Sequence, residues 1–218
     1  MKQSLSFRGP TGLPLVGNLV LPDGNARCSA VVFAHDLHRH RKEDQYLALA
    51  ERLRERGIAS LLFDSSGRSE SKSNLKGVTV EQLANNLSAA INRLEAENRV
   101  DLDRVGIVGW GAGGTAAILC SAVDKRVSAL VLLNVEVGAL PVLEAAYCID
   151  VPTLLIASEL DPVAVHEMHA IQFSLRGETY AEVVEGANAQ LEGPGQLKKI
   201  VDLSADWFAE KLNVLTRA

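Results

Sequence analysis

Runs of apolar residues without alternation recur along this chain, and they are separated by stretches in which apolar positions return every three or four residues. Uninterrupted apolar runs predict strands buried on both faces, whereas alternation predicts a strand with one exposed face. We therefore expect buried strands at 29–34, 58–63, 104–108, 127–135 and 153–157, an alternating strand at 13–21, and an extended segment at 179–184.

The stretches between these strands predict helices. Thr79 and Gln82 form a capping-box pattern, which is typical of a helix start. Helices are expected at 44–56, 79–94, 112–123, 162–175 and 196–212. Buried strands alternating with helices predict a doubly wound α/β fold with a mostly parallel sheet, in which functional residues follow the carboxyl ends of the strands.

Composition narrows the class of protein further. The 218 residues suit one domain, taken as 1–218, and 47% hydrophobic with 22% charged residues is typical of a soluble globular chain. A net charge of −5 gives no general reason to bind nucleic acid or anionic lipid. The amino terminus has no signal-peptide core, and the longest apolar run is far shorter than the ~20 residues of a membrane span. Three cysteines at unrelated spacings predict reduced thiols and a cytoplasmic location: Cys28, Cys120 and Cys148.

Polar and glycine-rich segments follow the predicted strands. They read HDLHRHR from His35, DSSGRSES from Asp64, GWGAGG from Gly109, SELDPV from Ser158 and EGANA from Glu185. In order and spacing these segments resemble those of the α/β-hydrolase fold over about 12–212, and most nearly those of small members such as dienelactone hydrolases.

The resemblance assigns a family role to several positions. His35-Asp36 stands for the family's His-Gly, and Asp64, Gly67 and Ser69 keep the outline of the motif after the fourth strand. The family's nucleophile elbow, G-x-S-x-G, reads Gly109-Trp110-Gly111-Ala112-Gly113 here. The catalytic acid matches Asp161, and the Gly-Ala-x-His that carries the base reads Gly186-Ala187-Asn188-Ala189.

The reactive groups of a hydrolase are absent from those positions. Gly111 stands at the nucleophile position without a side chain, and Ala189 stands at the base position and accepts no proton. Asp161 is left as a vestigial acid. A glycine at position 111 also relieves the backbone strain that a reactive serine must bear at such an elbow.

The expected oxyanion hole is compromised as well. It would use the N–H of Ala112 and one from the loop after the third strand, where Asp36 replaces glycine. An inward carboxylate at ~5 Å would oppose a developing oxyanion by about 3 kcal/mol. We expect no ordinary hydrolase activity, and we place a ligand beside five residues: His35, Asp36, Leu37, Trp110 and Ala112.

Several of these residues also have ordinary structural interpretations. Asp161 before Pro162 is a good helix N-cap. Cys120 is expected to be a buried small hydrophobe rather than a displaced nucleophile. His166 and His169 share one helix face, and the histidines of the loop from His35 follow no known metal-ligand spacing, so we predict neither a metal nor a cofactor.

A competing interpretation uses the same glycines. Gly109, Gly111 and Gly114 fit G-x-G-x-x-G before a helix, and Glu136 ends the next strand, which together outline a dinucleotide site. Against it, such a unit usually opens its fold, and some hydrolases place the triad acid where Glu136 stands.

The leading hypothesis from the sequence is therefore a catalytically degenerate α/β-hydrolase-fold protein, a pseudoenzyme. It would act as a small-molecule binder, a regulatory module or a scaffold, with a protein partner or homo-oligomer as further expectations. The first alternative is an esterase or thioesterase with relocated groups, in which His35 or His38 activates water with Asp36 or Asp161. The second is a dinucleotide-binding protein. Removal of the reactive groups by engineering is a further alternative.

Overall fold

An eight-stranded sheet with helices on both faces organises the chain. The structure, a computed structural model, describes residues 2–36, 41, 43–64, 78–137, 140–189 and 195–213. The strands are β1 Lys2–Arg8, β2 Pro14–Val20, β3 Cys28–Ala34, β4 Ala59–Asp64, β5 Val100–Trp110, β6 Val127–Leu133, β7 Thr153–Ser158 and β8 Thr179–Val184. The helices are α1 Asp44–Glu55, α2 Val80–Leu94, α3 Ala112–Val123, α4 Leu140–Ala146, α5 Pro162–Ser174 and α6 Gln196–Asn213.

The strands pair in the order β1-β2-β4-β3-β5-β6-β7-β8. The pairs β1–β2 and β2–β4 are antiparallel, and all the others are parallel. This arrangement confirms the doubly wound, mostly parallel sheet. It places the central strands β3 and β5 side by side, so the segments after them meet at one edge of the sheet.

Two apolar layers hold the sheet between the helices. Helices α1 and α6 cover one face around Tyr46 and Phe208, and the helices from α2 to α5 cover the other around Leu87 and Met168. The central strands are buried throughout because both of their faces meet helices, as the uninterrupted apolar runs predicted.

The helix starts follow local chemistry. At Thr79 the hydroxyl accepts from the backbone N–H of Gln82, and the side chain of Gln82 accepts from the N–H of Thr79, so the predicted capping box is confirmed. None of the described helices is long and apolar enough to cross a bilayer.

Candidate functional site

The elbow between β5 and α3 lies at the centre of the site. Gly111 links the two elements with φ +51° and ψ −124°, a combination that favours glycine. Its N–H donates to the carbonyl of Leu133 at 3.0 Å, and its own carbonyl accepts from the N–H of Gly114 at 2.9 Å. The sharp strand–turn–helix geometry of a nucleophile elbow is therefore present, and glycine adopts it without a Cβ penalty.

The glycines on either side have packing roles. A Cβ on Gly109 would lie 2.6 Å from the Cα of Gly114, and a Cβ on Gly113 would lie 2.2 Å from the carbonyl oxygen of Ala34. Helix α3 thus approaches β5 and β3 more closely than any side chain allows. Close packing accounts for these glycines without a bound dinucleotide.

A cavity of about 460 Å³ opens beside the elbow. The three positions that the resemblance assigned to a catalytic triad all lie on its wall: Gly111, Asp161 and Ala189. They come from the turns after β5, β7 and β8, which meet because those strands run parallel. The remaining lining residues are Asp36, Trp110, Asn134, Glu136, Val163, Ala164 and Glu167.

Two carboxylates approach the place where a nucleophile would stand. A Cβ on Gly111 would lie 3.3 Å from Oδ2 of Asp36 and 3.3 Å from Oε1 of Glu136. The backbone carbonyl of Glu136 accepts a hydrogen bond from the hydroxyl of Thr115 on α3, which holds this segment against the elbow. A phosphate at the start of α3 would meet both carboxylates, and this opposes the dinucleotide alternative.

Asp161 has the capping role that its sequence context predicted. Its Oδ1 accepts from the N–H of Ala164 at 3.1 Å, and Pro162 occupies the first turn of α5. The same carboxylate lies on the cavity wall, so one residue both starts the helix and faces the site.

Asn134 is a site residue that the sequence analysis missed. It is the one described non-glycine residue with positive φ, +42°. Its amide donates to Oγ of Ser158 at 2.9 Å and to the carbonyl of Ala189 at 3.4 Å, while its Oδ1 accepts from the N–H of Ser158 at 2.8 Å. It therefore joins the segments after β6, β7 and β8. An asparagine directly after an apolar strand was the available signal, because asparagine tolerates this backbone region.

The remaining predicted ligand-binding residues differ in position. Trp110 and Asp36 line the cavity, whereas His35 and Ala112 are buried and are not part of its described wall. The ring of His35 lies against Tyr46, with centroids 4.2 Å apart. The relocated-hydrolase alternative thus lacks a described histidine at the cavity. Leu37 and His38 lie outside the described residues, as do Gly67 and Ser69 of the motif after β4.

Asp64 and Cys120 have structural roles. The carboxylate of Asp64, at the end of β4, pairs with the guanidinium of Arg41 and accepts from its backbone N–H at 3.2 Å. Cys120 is buried in the apolar layer over α2 and α3, 3.4 Å from the hydroxyl of Ser88, which confirms its reading as a small hydrophobe. Burial raises the pKa of its thiol to about 11.

Thiol reactivity should separate the three cysteines. Cys148 is exposed, whereas Cys28 and Cys120 are buried, and burial raises the pKa of both buried thiols. At pH 8 only about one Cys120 thiol in a thousand would be ionised, since its pKa is about 11. We expect one fast and two slow phases with a disulfide reagent under native conditions. Replacing Cys148 by Ser should remove the fast phase, and two fast thiols in the wild type would contradict this assignment.

The fold and the site together define an α/β-hydrolase-fold protein. The sequence profile described as "PETase: PET hydrolase-like" matches residues 42–193. The chain therefore belongs to the PET hydrolase-like family. The suspected membership of the α/β-hydrolase superfamily is confirmed, and the dienelactone hydrolase of Anabaena variabilis is similar in structure, with a TM-score of 0.87 and 25% identity over 98% of this chain and 99% of that one.

Two further proteins are similar to this chain, one in sequence and one in fold. A protein from Mycobacterium tuberculosis named "Putative phosphoribosyl transferase" is 31% identical over 202 residues, which are 92% of this chain. The chain spans 44% of the length of that relative. A Pseudomonas aeruginosa protein of solved structure shares the fold, with a TM-score of 0.78 and 17% identity over 97% of this chain and 94% of that one.

Proposed function

We propose that this chain is a non-hydrolytic member of its family, which uses the family's cavity to bind a small molecule. One observation carries the proposal: the elbow keeps its geometry at Gly111 and a cavity of about 460 Å³ stays open beside it, while the nucleophile side chain is missing. A merely decayed site would have no reason to keep a cavity large enough for a small ligand.

The described wall of the cavity supplies no triad. Its residues include no serine, cysteine, threonine, histidine or lysine, so no hydroxyl or thiol nucleophile and no histidine base faces the elbow, and the ionisable side chains of the described wall are all carboxylates. Asp36 adds a carboxylate beside the position where a tetrahedral intermediate would form. An oxyanion-hole donor contributes about 3–4 kcal/mol, and a nearby carboxylate would offset much of that.

The names of the similar proteins suggest which kind of ligand the cavity binds. The dienelactone hydrolase that shares the fold and the PET hydrolase-like family are both named for organic substrates, and this supports an organic ligand here. The phosphoribosyl transferase name belongs to a relative of which this chain spans 44%, and carboxylates at the start of α3 do not favour a phosphorylated substrate. A regulatory or scaffolding role, and a cytoplasmic location, remain predictions.

The test separates turnover from binding. We expect the wild type to hydrolyse p-nitrophenyl acetate and an enol lactone no faster than buffer, because no triad is present. Binding of the enol lactone can be followed by the fluorescence of Trp110. The chain has 2 tryptophans, so a Trp207→Phe variant leaves Trp110 as the only one.

One control and one outcome decide the test. The Trp207→Phe variant should keep the wild-type melting temperature, which would show that the substitution leaves the fold around Trp110 unchanged. Ester turnover by the wild type that disappears in His35→Ala or Asp36→Asn would overturn the proposal and favour a hydrolase with relocated groups.

A further inference from the structure

The outer edge of β8 is open for pairing. This strand ends the strand order, and no strand in the described part of the chain pairs with its outer side. The carbonyls of Glu178 and Val184 accept hydrogen bonds from the N–H groups of β7 and of the residue that follows β7. Because successive residues of a strand face opposite sides, the backbone groups of Thr179, Ala181 and Val183 point outwards.

Strand β8 lacks the usual protection of an edge. Proteins commonly place lysine, proline or a bulge on an exposed edge strand. The sequence TYAEVV contains neither residue, and its register with β7 is unbroken. Its one charged residue, Glu182, already pairs with Lys199 of α6 at 2.6 Å. Tyr180 and Val183 are 53% and 38% exposed on this strand, so the edge is suited to a second strand.

Helix α5, which packs over this edge, has an uncharged outer face. All of α5 is described, and none of its exposed residues is a lysine, arginine, aspartate or glutamate: Pro162, Val163, His166, His169 and Phe173. Phe173 is 88% exposed. A surface helix normally carries charged residues on its outer face, so this composition favours a surface that is covered.

The flank of α5 that bears Phe173 lies on the side of the open edge. Val163 and Glu167 lie on the cavity wall, towards the centre of the sheet. At about 3.6 residues per turn, His169 and Phe173 occupy the opposite flank of the helix. An exposed aromatic ring and an unpaired strand therefore share one side of the molecule.

We propose that β8 pairs with β8 of a second copy of this chain, antiparallel about a two-fold axis through Ala181. Opposite residues of an antiparallel pair lie on one face of the sheet, so the axis must pass through a residue. An axis at Ala181 joins its outward groups to those of the partner's Ala181, and those of Thr179 to the partner's Val183. An axis at Glu182 would shorten the pairing and oppose two carboxylates, which is unfavourable.

The same axis brings the two α5 helices into contact. Helix α5 contacts both β7 and β8, so it lies over that pair of strands. With strands about 4.8 Å apart, the two helices would lie about 10 Å apart, which is the usual distance between packed helices. Phe173 then reaches the amino-terminal half of α5 in the second copy, and its ring leaves the solvent.

Charges at the two ends of β8 are complementary in this arrangement. The exposed cation Arg176 precedes the strand, and the exposed anion Glu185 follows it. Antiparallel pairing places Arg176 at the same end of the strand pair as the partner's Glu185. Such complementarity favours the antiparallel arrangement and fixes its register, and it occurs twice because the axis is two-fold.

Light scattering after size-exclusion chromatography tests the assembly. We expect the wild type to have twice the mass of one chain at micromolar concentrations. Ala181→Pro removes an outward N–H that β7 does not use, so it should keep the fold and give single chains. Val183→Lys should weaken the dimer at least about a hundredfold, because the substitution occurs twice across the axis.

Val16→Lys is the matched control for Val183→Lys. Val16 is 40% exposed, close to the 38% of Val183, but it lies in β2, which is paired on both sides. The dimer should therefore keep its wild-type affinity in this variant. Circular dichroism and the melting temperature check that each variant is folded.

A cysteine cross-link tests the register. In a Cys148→Ser background the two remaining native thiols are buried. Ala181→Cys should form a disulfide between two copies on mild oxidation, because opposite Cα atoms would be about 5.5 Å apart. Tyr180→Cys should not, because the two Tyr180 positions are offset along the strands beyond the reach of a disulfide.

Three results would overturn this inference. The first is a wild type that has the mass of one chain at every concentration, including one that binds a different protein through β8. The second is a dimer that is equally stable in Ala181→Pro and Val183→Lys. The third is a cross-link that forms at position 180 and not at position 181. Ester turnover, measured separately, concerns only the non-hydrolytic function.

Discussion

The double substitution Gly111→Ser with Ala189→His should give esterase activity about a thousandfold above that of the wild type. Both positions lie on one cavity wall with Asp161, and the backbone at position 111 already has the elbow conformation, φ +51° and ψ −124°. A complete Ser-His-Asp triad is worth about 10⁶ in kcat, so a fraction of that gain suffices. The measurement is kcat/KM for p-nitrophenyl acetate.

Asp36 limits the expected gain. A serine Cβ at position 111 would lie 3.3 Å from the carboxylates of Asp36 and Glu136, so these side chains must move by a few tenths of an ångström. Adding Asp36→Gly frees that space and removes the charge that opposes an oxyanion, which should increase the rate about a further hundredfold.

One single variant is the control for this experiment. Ala189→His alone supplies no nucleophile and should stay at the wild-type rate. If the triple variant folds, as judged by its melting temperature and circular dichroism, and still shows no turnover, then the three positions are not the remains of a triad.

The second large effect is expected from Gly113→Ala. The new methyl group would lie 2.2 Å from the carbonyl oxygen of Ala34, the last residue of β3, and 2.7 Å from that of His35, which follows it. Helix α3 would have to move away from β3, which we expect to cost about 4 kcal/mol or more in the free energy of unfolding. For a chain of this length, the melting temperature should fall by about 10 °C or more.

Gly114→Ala is the matched control because it lies one residue further along the same helix. A Cβ there has its nearest neighbour at 3.3 Å, a methyl of Val135 that can shift. The gain in helix propensity of up to about 1 kcal/mol should offset the contact. Equal decreases in melting temperature for the two variants would show that the approach of α3 to β3 is not the constraint.

Much of the fold could be predicted because its signals are local. The uninterrupted apolar runs located β3 to β7, and the bounds of α3, Ala112–Val123, agree with the pattern. The apolar pattern did not predict β1, whose short alternation in KQSLSFR is weak, or α4, which has only seven residues. It also shortened β5, which begins at Val100 although 101–104 are mostly charged.

The site was predictable where a residue carries its own signal. Asp161 before Pro162 indicated a cap, and the glycines around position 111 indicated a turn. Asn134 had a local signal only for its turn, and Glu167 had none. The place of both residues on the cavity wall depends on how distant elements come together. Ser158, which binds Asn134, is 24 residues away along the chain.

The chain's pattern of apolar runs, glycines and caps is sufficient to predict the doubly wound class, since secondary structure follows local signals, and the sequence itself gives glycine at position 111 and alanine at position 189. The tertiary structure alone settles that the elbow keeps its backbone geometry, that Asp36 and Glu136 approach it, and that an open cavity persists. The physical reason is that distances between side chains from separate strands depend on sheet order and register, which no local pattern encodes.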